Sequence, residues 1–93
     1  MLQTIAITVT GKVQGVWYRQ SAKQEAERLG ITGQVLNQKD GTVFIIATGT
    51  TKQLEQYTRW CRLGPPRAVV SNLAVKEIPV RLFEQFSIER FAG

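Results

Sequence analysis

The chain has 93 residues, with 12 Lys and Arg against 7 Asp and Glu for a net charge of +5, one cysteine and no histidine. That length supports one domain with one modest core, and 43% apolar with 20% charged residues exclude a disordered or fibrous chain. The missing histidine excludes a histidine relay, a histidine-ligated zinc site and a histidine pH switch, and the lone Cys61 excludes an internal disulfide.

The opening stretch, MLQTIAITVT, has no basic segment followed by an apolar one, so no signal peptide is expected and cytoplasmic residence is the default expectation. The longest apolar run, residues 43–47, is too short to span a membrane, and no membrane partner is expected. Within TIAITVT, Ile5, Ile7 and Val9 alternate with Thr4, Ala6, Thr8 and Thr10, which predicts a half-buried strand. GKVQGVWYR follows, and its glycines at 11 and 15 let a backbone turn tightly and approach a ligand closely.

From residue 18, Tyr18, Ala22, Ala26 and Leu29 recur at helical spacing and Gly30 supplies the stop, predicting a helix over 18–29. Its start is unusual. No Ser, Thr, Asp or Asn stands between Gly11 and Tyr18 to cap the free amides, and the first turn carries Arg19 where an acidic residue is favoured. An anion bound to successive N–H groups and to the planar fork of Arg19 removes both faults, while a plain strand-to-helix loop with an exposed Arg leaves them standing.

TGQVLN and TVFIIAT read as a hairpin around Asp40 and Gly41. Thr50 and Gln53 then form a capping box that opens a second helix, with Leu54, Tyr57 and Cys61 as its core stripe and Gly64, Pro65 and Pro66 as its end. AVVSNLAVKEI and QFSIER give two further strands joined by PVRLF, with Phe86 and Ile88 facing inward. The order βαββαβ plus a short final strand predicts a ferredoxin-like α+β sandwich, one mostly antiparallel sheet with two helices on one face, over residues 1–93. Cys61 and Trp60 read as packing, Trp17 as a wall of the proposed cradle. Glu25 and Glu27, two apart on a helix, do not face each other, so no metal site is expected.

GKVQGVWYR, residues 11–19, resembles the first signature of the acylphosphatases, and GQVLNQKDGTVFIIATG, residues 33–49, is similar to their second. Gln34 and Leu36 stand where an aromatic and a polar or basic residue are usual. The resemblance implies hydrolysis of acyl phosphates, with neither metal nor cofactor and no covalent intermediate. It implies that Arg19 and the backbone amides of Gln14, Gly15, Val16, Trp17 and Tyr18 hold the phosphate and that Asn37 orients the water. Inorganic phosphate or sulfate would then compete as an anion, and the expected form is a monomer.

The residues themselves are compatible with these roles. An acyl phosphate expels a carboxylate of pKa about 4, which leaves without a general acid, so positioning and fixed dipoles suffice. A small basic RNA-binding module and a non-catalytic anion sensor remain alternatives. The first needs stacking aromatics on the two central strands, where Phe44 stands alone, and nucleic acid is therefore not an expected partner.

Overall fold

The computed structural model describes residues 1–90, so the last three residues of the expected 1–93 domain lie outside the described residues. The elements are β1 (Leu2–Lys12), α1 (Tyr18–Leu29), β2 (Thr32–Asn37), β3 (Val43–Thr50), α2 (Thr51–Leu63), β4 (Val69–Ile78) and β5 (Phe86–Glu89). They build a five-stranded sheet in the order β4-β1-β3-β2-β5, with β5 parallel to β2 and the other neighbours antiparallel. This is the expected ferredoxin-like α+β arrangement.

Alternation in β1 sends Ile5, Ile7 and Val9 to the face covered by the helices. There they join Ala22 and Ala26 of α1, Leu54, Tyr57 and Cys61 of α2, and Val35, Ile45 and Phe86 of the sheet in one buried cluster. Two hydroxyls tie the helices into it: Tyr57 donates to Ala22 O (3.0 Å) and Tyr18 to Cys61 O (2.7 Å). Without those carbonyls each buried phenol would be an unpaired polar group. Burial pushes the Cys61 thiol up to about 12, so it stays protonated at neutral pH and serves as packing, as expected. α1 carries two ordinary surface ion pairs, Lys23 with Glu27 and Arg28 with Glu25.

Three details differ from the sequence reading. Gly11 is not in the loop. It lies in β1 at a bulge against β4, with φ 133°, and an added Cβ would sit 2.1 Å from Val69 O, so its reason is strand packing and not approach to a ligand. The face of the sheet opposite the helices is also not bare. The connector from β4 to β5 joins the two edges of the sheet and must cross it, which takes backbone polar groups out of water. Thr4 and Thr48 receive them: Arg81 N–H donates to Thr4 Oγ1 (2.9 Å), Thr48 donates to Arg81 O (2.6 Å), and the two hydroxyls stand 2.7 Å apart. Both threonines are buried as a result.

Ile88 is the third. Phe86 is buried as expected, but Ile88, two residues on, is 36% exposed. It sits on a four-residue edge strand opposite Val35 of β2, and the core cover ends before it.

Candidate active site

Because β1 and β2 both run antiparallel to β3, they are parallel to each other, and β5 is parallel to β2. The carboxyl ends of all three therefore point the same way, toward the start of α1. Crevices at the carboxyl ends of parallel strands are where α/β sheets commonly bind ligands, because loops and helix starts gather there. A cleft of about 380 Å³ opens at this end, lined by Val13, Gly15, Trp17, Tyr18, Arg19 and Gln20 from the β1–α1 connection, Asn37 from the end of β2 and Ile88 from β5.

The start of α1 is bare. The first helical bond runs from Ser21 N–H to Trp17 O (3.0 Å), which leaves the amides of Tyr18, Arg19 and Gln20 ahead of it without helical acceptors. No side chain caps them and the first turn holds no acidic residue. Trp17, the cap position, has φ 67° and ψ 19°, and is the only non-glycine residue with positive φ among the described residues. A bulky side chain there costs about 1–3 kcal/mol relative to an ordinary backbone conformation. Gly15, at φ 73°, takes a similar turn without that penalty, and an added Cβ would meet nothing within 4 Å because the space beyond it is open.

Arg19 is half-buried and forms neither an ion pair nor a hydrogen bond among the described residues. Asn37 is likewise half-buried, and its Oδ1 is the one buried side-chain polar atom without a partner among the described residues. An unmade hydrogen bond of this kind costs about 1–3 kcal/mol. A donor entering the cleft would complete it.

Of the residues expected at the site, Gly15, Trp17, Tyr18, Arg19 and Asn37 line the cleft together. The side chains of Gln14 and Val16 do not. Val16 is buried in the core, while Gln14 reaches across to the β2–β3 turn and donates both amide hydrogens, to Gln38 O (2.8 Å) and Thr42 O (2.9 Å). That side chain fastens the loop before α1 to the hairpin whose first strand ends in Asn37. The hairpin is itself set by Asp40, which accepts from Thr42 N–H (3.0 Å) and the Thr42 hydroxyl (2.6 Å); these bonds hold its carboxyl below the usual carboxylate range. Asp40 is thus committed to the turn, as expected from its place beside Gly41.

Sequence reading missed Ile88 as a cleft residue and Gln14 as a strut. Both depend on pairings distant in sequence, β5 with β2 and the loop with the turn, and a single sequence carries no local sign of either. No group of three or more His, Cys, Asp or Glu could hold a metal ion among the described residues. No helix there is long and apolar enough to cross a membrane.

Comparison with known proteins places the same segments in a wider set. The acylphosphatase family model matches residues 5–88, from β1 through β5. An acylphosphatase of Methylococcus capsulatus is 42% identical over 90 residues, covering 96% of this chain and 98% of its relative. The structure of an acylphosphatase from Coxiella burnetii superposes with a TM-score of 0.92 at 40% identity, over 95% of this chain and 93% of that one. The crystal structure of the Bacillus subtilis acylphosphatase gives 0.86 at 35% identity, over 96% and 99%. With the likeness running unbroken through the strands, the bare helix start and the hairpin that together form the cleft, this chain belongs to the acylphosphatase family.

Proposed function

We propose that this cleft is where the chain, as an acylphosphatase, hydrolyses small-molecule acyl phosphates to a carboxylate and inorganic phosphate. Arg19 and the amides of Gln14 to Tyr18 hold the phosphoryl group, Asn37 aims the water, and no metal or cofactor takes part. The observation that supports this most is the convergence, on one cleft, of uncapped amides, an unpaired guanidinium and an unpaired amide oxygen. Each is unsatisfied alone, and a phosphoryl group with its attacking water supplies what all three lack.

The chemistry asks little of side-chain acids and bases. Water attacks phosphorus in line, the bond from phosphorus to the acyl oxygen breaks, and its electron pair leaves on a carboxylate that needs no proton. The proton of the water passes to a phosphoryl oxygen. Charge spread over the equatorial oxygens is met by the guanidinium fork and the fixed N–H dipoles, which need no reorganisation at the moment of reaction. Asn37 offers both donor and acceptor without repelling the anion. The buried thiol of Cys61, held protonated, and the turn-bound Asp40 stand outside this scheme.

The same reading takes the chain as one catalytic domain that acts as a monomer in the cytoplasm, with inorganic phosphate or sulfate as competing anions. An RNA-reading surface is disfavoured, because the β4–β5 connector buries Thr4 and Thr48 on the face such a module uses and Phe44 is the only aromatic on β1 and β3. The test is hydrolysis of benzoyl phosphate by the purified chain with and without excess chelator. Equal rates are expected, and Asn37→Ala is expected to lower kcat more than it raises KM. Turnover that vanishes with chelator, or an unchanged kcat in Asn37→Ala, contradicts the assignment.

A further inference from the structure

The residues lining the cleft are of two chemical kinds, and the phosphoryl scheme uses one. Arg19, Asn37 and the amides beyond Gly15 are the polar kind. Trp17 and Ile88 stand on the same cleft and contribute only carbon surface and an indole N–H. Of the exposed large apolar side chains among the described residues, these two are the ones that line the cleft. Trp17 is 73% exposed, whereas Trp60, the other tryptophan, packs against the core and lies near the rings of Tyr18 and Tyr57.

The backbone at Trp17 sharpens the contrast. Position 17 needs a left-handed conformation that glycine or asparagine adopts readily, and the chain places its largest side chain there, strained and unburied. Folding gains nothing from that choice. A ligand that covers the indole face gains contact area and recovers the apolar burial that folding leaves unused.

We propose that Trp17 and Ile88 form an acyl subsite, an apolar pair that takes up the carbon skeleton of the substrate while the phosphoryl group sits against Arg19. The enzyme accordingly favours acyl phosphates with an aromatic or bulky apolar acyl group over small ones. An acyl phosphate has the same two chemical parts as the cleft lining, a dianionic head and a carbon tail joined through one oxygen, and among the described residues no acidic side chain lines the cleft to discriminate on charge. This assignment rests on the phosphoryl placement proposed above.

The test compares kcat/KM for benzoyl phosphate and acetyl phosphate in the wild type, Trp17→Gly, Trp17→Phe and Ile88→Ala. Intrinsic reactivity of the two substrates cancels when their ratio is compared across variants. Trp17→Gly is expected to reduce the benzoyl preference by about three- to tenfold, the worth of one aromatic contact, chiefly through KM for benzoyl phosphate. Trp17→Phe retains most of the preference, and Ile88→Ala, which leaves the backbone untouched, reduces it in the same direction. Glycine suits the backbone at position 17, so loss of folding is not expected to mask the result. An unchanged ratio in both Trp17→Gly and Ile88→Ala, with both substrates still hydrolysed, overturns the subsite and leaves the phosphoryl assignment standing. A wild type that hydrolyses neither substrate removes the phosphoryl assignment, and the subsite with it.

Discussion

The two helices of this chain begin in opposite ways. At the start of α2, Thr50 accepts from Gln53 N–H (3.2 Å) and Gln53 Oε1 accepts from Thr50 N–H (2.8 Å), a complete reciprocal cap on an extended backbone. At the start of α1 the cap position is a left-handed tryptophan with no capping bond, followed by an arginine in the first turn. One sequence thus contains both the device that closes a helix start and a helix start left open. The open one faces a cleft beside Asn37, and the closed one contributes no residue to that cleft, so the difference goes with what each end adjoins. A bare start keeps N–H donors and the positive end of the helix dipole available to an anion, at the expense of the stability a cap would add.

The two helix starts should differ most in what they contribute to turnover. If Arg19 is placed against the dipole in order to meet charge developing on the phosphoryl oxygens, Arg19→Ala should lose at least about 3 kcal/mol in kcat, by analogy with lost oxyanion donors. Removing a cation from the first turn of a helix should leave stability level or slightly raised. Steady-state kinetics and a thermal melt on the same preparation read both. Near-normal hydrolysis by the variant would leave Arg19 as no more than an unfavourable surface residue.

A smaller effect, on stability, separates the two helix starts directly. An anion that binds the folded chain alone stabilises it by mass action, by about 2.7 kcal/mol at a hundredfold excess over its dissociation constant. Inorganic phosphate should therefore raise the Tm of the wild type, with Arg19→Ala blunting the rise. No shift at saturating phosphate would mean that the open helix start is not a phosphate cradle, and the contrast with α2 would lose its meaning.

How far these features were legible in the sequence depended on how local they are. Both helix starts were readable, because a cap is written in neighbouring residues: Thr50 with Gln53 for α2, and the lack of any capping residue before Tyr18 for α1. The alternation of Ile5, Ile7 and Val9 gave the face of β1 that meets the helices, and Gly30 gave the end of α1. Features made by distant pairing were not readable. The burial of Thr4 and Thr48 depends on a connector that crosses the sheet, the constraint on Gly11 comes from Val69 of β4, and Ile88 reaches the cleft because β5 pairs parallel to β2. Sequence likewise named Gln14 for its backbone, whereas its side chain does a separate job in joining loop to hairpin.

The closed helix start should show an effect on stability alone. Thr50→Ala removes the side-chain half of the α2 cap, and loss of such a cap costs about 1 kcal/mol. In a domain of this size that lowers Tm by about 4–8 °C. The phosphate-induced rise in Tm should nevertheless equal that of the wild type, because Thr50 lies outside the cleft and α2 contributes no residue to it. The two increments are expected to add, as they do for sites that share no partners. If Thr50→Ala also diminishes the response to phosphate, the start of α2 is coupled to anion binding, and the division between a helix start that serves stability and one that serves the ligand no longer holds.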